Sequence, residues 1–140
     1  MKYVLDACVA LKWVLVETDT DRARQLRNDY RQKIHDLIAP DLFELEVAHG
    51  LAKSERKGVI APPQGGAHLL SILSDSPALV PCSPLLIRAF TIASQARISV
   101  YDCFYVALAE REGCELITSD EKLITNLQAK FPFILSLSSL

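Results

Sequence analysis

Glycine is scarce in this 140-residue chain, at 5 residues, and neither GxGxxG nor GxxxxGK occurs. Without such a loop between a strand and a helix, nothing cradles the phosphates of a bound nucleotide. The pair Gly65-Gly66 has no strand before it. The 4 cysteines, Cys8, Cys82, Cys103 and Cys114, include no CxxC pair and no zinc-knuckle spacing, which argues against a thiolate zinc centre. Two of them lie inside apolar runs, as buried free thiols of a reducing compartment do. A long hydrophobic stretch is also missing. The apolar run after Lys2 is broken by Asp6 and Lys12, too short and interrupted for a signal peptide or a membrane span. A cytoplasmic protein with no membrane partner is therefore expected. Positive charge is not in surplus either: the formal net charge is -2, so a nucleic acid would have to be met by a local patch or by bound metal ions.

What is present is apolar mass and an alternating pattern. Half of the residues are hydrophobic, ample for one continuous core in a chain of ordinary domain size, so residues 1–140 are expected to form a single domain. KYVL reads as a strand, and after Asp6 the run ACVALKWVLVE takes helical spacing. TDTDRARQLRNDYRQKI is a more solvated helix, with Asp19 or Thr18 as N-cap and Ala23, Leu26, Tyr30 and Ile34 turned inward. DLIAP is a strand, after which Asp41 and Glu44 fit a capping box opening the helix LFELEVAHGLAKSERKG, closed by Gly58. A helix from the Pro pair, a brief extended ALVPC and a helix capped at Ser83 follow. ISVYDCFYVALAEREG is a helix between Ser99 and Gly113, CELIT a strand, SDEKLITNLQAKF a helix and PFILSL a last strand. Strands alternating with helices predict right-handed crossovers and a parallel sheet covered on both faces, with any ligand site at the carboxyl ends of the strands.

Four acids stand out against this pattern. Asp6 directly follows the first strand and Asp120 comes two residues after ELIT, so a parallel sheet delivers both to its carboxyl edge. Asp102 heads the otherwise uncharged run DCFYVALA, which ends at Glu110. Glu46 lies in the first turns of its helix, one turn before His49. Each acid has an ordinary structural explanation: Asp6 caps the first helix, Asp120 or Ser119 caps the late one, Asp102 completes a capping box with Ser99, and Glu46 sits on a solvated face. Yet the layout sends all four toward one edge among apolar neighbours, where carboxylates repel and hold their protons unless a hard divalent ion neutralises them. Oxygen ligands without a Cys or His cluster point to Mg2+ or Mn2+ rather than zinc. Lys12, Arg97 and the run Lys53, Arg56, Lys57 are candidates for phosphate contacts, although the last three also suit a solvated helix surface.

In order along the chain, YVLDACVALKW, APDLFELEVAHGL, YDCFYVALAE and LITSDEKL resemble the PIN-domain ribonucleases, and within them the VapC-type toxins of bacterial toxin–antitoxin pairs. The resemblance implies a three-layer α/β/α domain with a central parallel sheet, and metal-dependent endonucleolytic cleavage of RNA by a cluster of acids. By matched position that cluster is Asp6, Glu46, Asp102 and Asp120. Thr118 or Ser119 matches a hydroxyl that often accompanies the last acid, a candidate for orienting water or substrate. A homodimer and a small VapB-type antitoxin, usually a DNA-binding protein whose tail occupies the active-site groove, are implied as well. Two positions depart from the family's pattern: Cys8 stands where Asn, Ser or Thr is frequent, and His49 where Asn is frequent.

Three other readings compete, one of them a solitary PIN nuclease of RNA processing that has no antitoxin. A phosphohydrolase of the haloacid-dehalogenase kind requires a second Asp two residues after the first, where Cys8 stands. A PIN-like module that only binds RNA or a partner would retain the acids as caps, a reading that Cys8 and His49 keep open.

Overall fold

The structure, a computed structural model, describes residues 1–140. Five strands, β1 (Lys2–Leu5), β2 (Asp36–Pro40), β3 (Ala78–Val80), β4 (Glu115–Thr118) and β5 (Ile134–Ser136), form one sheet in the order β3-β2-β1-β4-β5. Every pairing is parallel. Along β4 the consecutive residues Leu116, Ile117 and Thr118 are each fully buried. A strand whose successive side chains point to opposite faces can bury all of them only when both faces are covered. The α/β three-layer architecture expected from the sequence is therefore present.

The covering helices are α1 (Ala7–Leu11), α2 (Thr20–Arg31), α3 (Phe43–Arg56), α4 (Pro62–Ser74), α5 (Leu86–Ala96), α6 (Val100–Glu112) and α7 (Glu121–Leu127). The central one is α6, which packs on β1, β2 and β4. Its residues Cys103 to Ala109 are all buried, the signature of a helix apolar on every side and enclosed by its neighbours. Ser99 caps it by accepting from the amide of Tyr101, and Gly113 ends it in the left-handed conformation at φ 63°, where a residue without Cβ meets no penalty. On α3, Gly50 faces α1 so closely that a Cβ there would come within 2.6 Å of Leu11 Cδ1.

Several local expectations are corrected. The first helix stops at Leu11, after which the chain tightens into turns, the amides of Lys12, Trp13 and Val14 each donating to the carbonyl three residues back at 3.0–3.2 Å; further on, the Thr20 hydroxyl donates to the carbonyl of Leu15 at 3.0 Å and accepts from the amide of Glu17 at 2.9 Å. Helix α2 ends before Ile34, which is 60% exposed; Lys33 turns left-handed at φ 60° and breaks the inward stripe after Tyr30. Asp19 occupies the N-cap position of α2 without a side-chain capping bond, its carboxylate instead pairing with Arg22 at 3.6 Å. The Asp41–Glu44 capping box does not form. Leu42 is the N-cap of α3, and Asp41 Oδ1 instead accepts from the amide of Cys82 at 3.2 Å, tying the ends of β2 and β3. Ser83 opens a 3-10 turn, Ser83–Leu85, that precedes α5 rather than capping it.

Candidate active site

The strand order reverses at β1: β2 and β3 lie on one side, β4 and β5 on the other. At such a switch point the connections leave the carboxyl ends of adjacent strands in opposite directions and open a crevice. Asp6 follows β1 and Ser119 and Asp120 follow β4, and the register pairs Leu5 with Ile117. The chains stay bonded one step further, with the Asp6 amide donating to the Ile117 carbonyl at 3.1 Å. A cleft of about 540 Å³ opens there, and its walls include Asp6, Glu46, Asp102 and Asp120. All four acids singled out in the sequence thus border one space, each delivered by a different segment: β1, α3, α6 and the β4–α7 junction.

The capping and site roles are not exclusive. Asp6 caps α1, Oδ1 accepting from the amide of Cys8 at 3.4 Å, while Oδ2 accepts from the hydroxyl of Thr118 at 2.8 Å. Asp120 caps α7 through Oδ1 alone, accepting from the amides of Lys122 and Leu123, which leaves Oδ2 without a bond to the protein. Asp102 stands in the first turn of α6, yet the capping bond belongs to Ser99. No protein donor holds the Asp102 carboxylate. Glu46 is not a solvated surface residue: it is half-buried, and Oε1 accepts from the hydroxyl of Tyr105 at 2.7 Å.

Burial and mutual repulsion raise the proton affinity of this group. Asp6, only 5% exposed, is pushed up to about 6, first by burial and then by the charge of Glu46, against the bond from Thr118. Asp102 is likewise raised to about 6, by burial and then by Asp6 and Asp120. Glu46 is raised by burial and by Asp102, and lowered by the Tyr105 bond. These carboxylates lie close enough to oppose one another's ionisation, and a cation between them would relieve that opposition.

The donor set can be tested against the ion that the resemblance implies. No three His, Cys, Asp or Glu side chains converge into a ready-made metal cage. Mg2+ does not require one, since it keeps several waters and is held by one or two carboxylates together with substrate phosphates. Hard carboxylate oxygens also suit Mn2+, and the absence of converging thiolates and imidazoles does not suit structural zinc. The residues fit a partly hydrated hard cation.

Thr118 and Ser119 separate in role. Thr118 is fully buried and does not line the cleft; its hydroxyl is engaged, donating to Asp6 and accepting from the Asp120 amide at 3.0 Å. Ser119 lines the cleft, its amide donating to Cys8 Sγ at 3.4 Å. His49, Lys12, Lys53 and Lys57 also border the cleft, whereas Arg56 and Arg97 do not. Tyr105 escaped the sequence reading because it lies inside an apolar run. The available signal was its spacing: a tyrosine three residues after Asp102 shares that acid's helix face, and a buried phenol requires a hydrogen-bond partner.

A five-stranded parallel sheet with an acidic cleft at its switch point defines the class, and the PIN domain family model matches residues 3–127. The chain belongs to the PIN-domain family. Its relatives include Ribonuclease VapC3 of Pyrobaculum aerophilum, 32% identical over 97% of this chain and 99% of that protein. Another is Ribonuclease VapC9 of Mycobacterium tuberculosis, 33% identical over 92% of this chain and 94% of that one. Two solved structures share the fold. PAE2754 from Pyrobaculum aerophilum superimposes with a TM-score of 0.72 at 22% identity, over 99% of this chain and 94% of that one. VapBC2 from Rickettsia felis, bound to a DNA fragment from its promoter, gives 0.66 at 16% identity over 97% of each chain.

Proposed function

We propose that this protein is a metal-dependent endoribonuclease and the toxin of a VapBC-type toxin–antitoxin pair, acting in the cytoplasm with residues 1–140 as one PIN domain. The observation that carries the reading is the convergence of Asp6, Glu46, Asp102 and Asp120, from four separate segments, on one cleft at the switch point of the sheet. The ribonuclease names of its full-length relatives supply the substrate class.

Asp102 and Asp120 present oxygens without protein donors and are the first-choice ligands of Mg2+ or Mn2+; Asp6 and Glu46 complete the set, directly or through water. Such an ion, when bound, supplies a water acidic enough to attack at neutral pH and neutralises charge building on the phosphate. The chain's own side chains do the placing. Thr118 holds Asp6, Tyr105 holds Glu46, and Ser99 anchors the helix that aims Asp102. Ser119, which lines the cleft beside Asp120, orients the attacking water or the scissile phosphate. No residue forms a covalent intermediate.

The partners follow from the same reading. A small VapB-type antitoxin covers the cleft until released. A second copy of the chain docks through exposed apolar side chains, of which Ile87 and Phe90, one turn apart on α5 and 79% and 64% exposed, are prominent. The decisive experiment combines purified protein with total RNA and Mg2+, Mn2+ or EDTA, beside Asp102→Asn. Cleavage that needs the ion and disappears in the folded variant is expected; a protein that binds RNA but never cuts it would establish the binding-only module instead.

A further inference from the structure

The cleft has a second wall of opposite charge. Glu46, His49, Gly50, Lys53, Ser54 and Lys57 all line it, and their spacing of three and four residues places them on a single face of α3 and its C-cap. The face therefore runs from an acid, Glu46, through an imidazole, to two ammonium groups ending at Lys57, about 16 Å away at a rise of 1.5 Å per residue. Its acidic end meets the other carboxylates, whose charges bear on Glu46 and Asp6. Its basic end lies away from them.

Neither Lys53 nor Lys57 has an acid within salt-bridge distance, although the chain forms such pairs elsewhere. Two like charges one turn apart oppose each other. Their place near the helix C-terminus offsets this through the backbone dipole, but that applies equally to Arg56, which points away from the cleft. The dipole thus accounts for basic residues in this turn and not for their direction. Opposite them, Lys12 reaches toward the cleft from the end of α1, its side chain 12% exposed and only loosely paired with Glu17 at 3.9 Å. Gly50 makes the two walls meet, since a side chain there would push against Leu11.

We propose that the His49–Lys53–Lys57 face is a backbone track for single-stranded RNA, which leads the strand along α3 so that one phosphodiester arrives at the carboxylates. This rests on the ribonuclease reading above. An acidic protein acquires RNA affinity in this way without an overall positive charge: the cations are concentrated on one wall, and phosphate contacts set the register of the strand while leaving its sequence unread. His49 stands at the turn between acids and lysines, so its ring meets the nucleotide next to the scissile bond.

The test is the salt dependence of binding. A fluorescein-labelled 12-nucleotide RNA of mixed sequence is titrated with Asp102→Asn protein between 50 and 200 mM salt, with and without Lys53→Gln and Lys57→Gln together. Each phosphate contact on a single strand adds about 0.7 to the slope of log affinity against log salt. The double variant is therefore expected to bind more weakly and to show a slope shallower by about 1.4, while Arg56→Gln keeps the parental slope and Lys53→Arg with Lys57→Arg restores it. Thermal denaturation of each variant separates lost contacts from lost fold. An unchanged slope, an equal effect of Arg56→Gln, or no measurable RNA binding by the parent overturns the track. RNA cleavage by wild type is scored separately, so failure of the track is distinct from failure of the nuclease reading.

Discussion

The hydroxyl of Tyr105 donates a 2.7 Å hydrogen bond to Oε1 of Glu46, so the central helix holds the acid of α3 that completes the cleft. Tyr105 is fully buried and lies one turn after Asp102 on α6. One rigid helix thereby fixes two carboxylates from opposite walls, presenting one and gripping the other. Such coupling suits a site whose parts come from distant segments of chain.

Tyr105→Phe keeps the buried ring and removes only this donor. A hydrogen bond to a charged acceptor is worth roughly 1.5–3 kcal/mol, and Glu46 is exposed enough for water to replace part of it, so a stability loss of about 1 kcal/mol is expected in urea denaturation. Loss of the grip lowers RNA cleavage about tenfold, equivalent to 1.4 kcal/mol on the barrier, with the KM for RNA unchanged. Wild-type turnover in a folded Tyr105→Phe protein would remove Tyr105 from the positioning of Glu46.

Thr118→Val is nearly isosteric but deletes a hydroxyl that both donates to Asp6 and accepts from the Asp120 amide. A buried carboxylate already disfavoured by burial and the partly buried Asp120 amide then lose their partner. The expected destabilisation is about 2–4 kcal/mol, with Thr118→Ser recovering most of it. A Thr118→Val protein as stable as wild type would mean that water enters and replaces the hydroxyl.

Cys8 is the departure from the family's usual residues that touches the site most directly, its Sγ accepting from the Ser119 amide at 3.4 Å. Burial, and then the charge of Asp6, push this thiol far above its ordinary range. Since the thiolate is the reactive form, iodoacetamide at pH 8 is expected to leave Cys8 unlabelled in the folded chain and RNA cleavage uninhibited. Peptide mapping after alkylation decides the point; rapid labelling at Cys8 would require an opening that exposes it.

The acids were legible because the elements that place them were. A strand followed at once by Asp6, a strand followed two residues later by Asp120 and a helix capped beside Asp102 fix three positions through backbone geometry alone. Glu46 was less determined, since a helix has many faces and its orientation depends on packing against α1 and α4. The hydrogen bonds that hold the acids, from Tyr105 and Thr118, join residues 59 and 112 positions apart, and no local pattern encodes such pairs. The misjudged caps have the same origin. Asp41 and Ser83 are good capping residues by type, but for Asp41 the contact with Cys82 is tertiary and overrides the local preference.

The site also sets how stability depends on pH. Asp6 and Asp102 titrate near 6 in the folded chain and Glu46 is raised as well, whereas ordinary carboxylates titrate near 4. Between about pH 4 and 6 the folded state therefore binds more protons than the unfolded state, so stability falls as pH rises through that window and stays lower above it. Asp75 and Glu110, lowered by Arg31 and Arg27 and by Arg88 respectively, act in the opposite sense at more acid pH, which places the useful range above about 4.5. Metal-free protein is accordingly expected to melt at a higher temperature at pH 5 than at pH 7.5, and Asp102→Asn to flatten the difference by removing one repelling charge. At pH 7.5, Mn2+ at 100 times its dissociation constant should return about 2.7 kcal/mol, and much less at pH 5, where protons occupy the same oxygens. A melting temperature that rises steadily from pH 5 to 7.5, and does so equally in Asp102→Asn, would show that these carboxylates do not oppose one another and would leave the cation no repulsion to relieve.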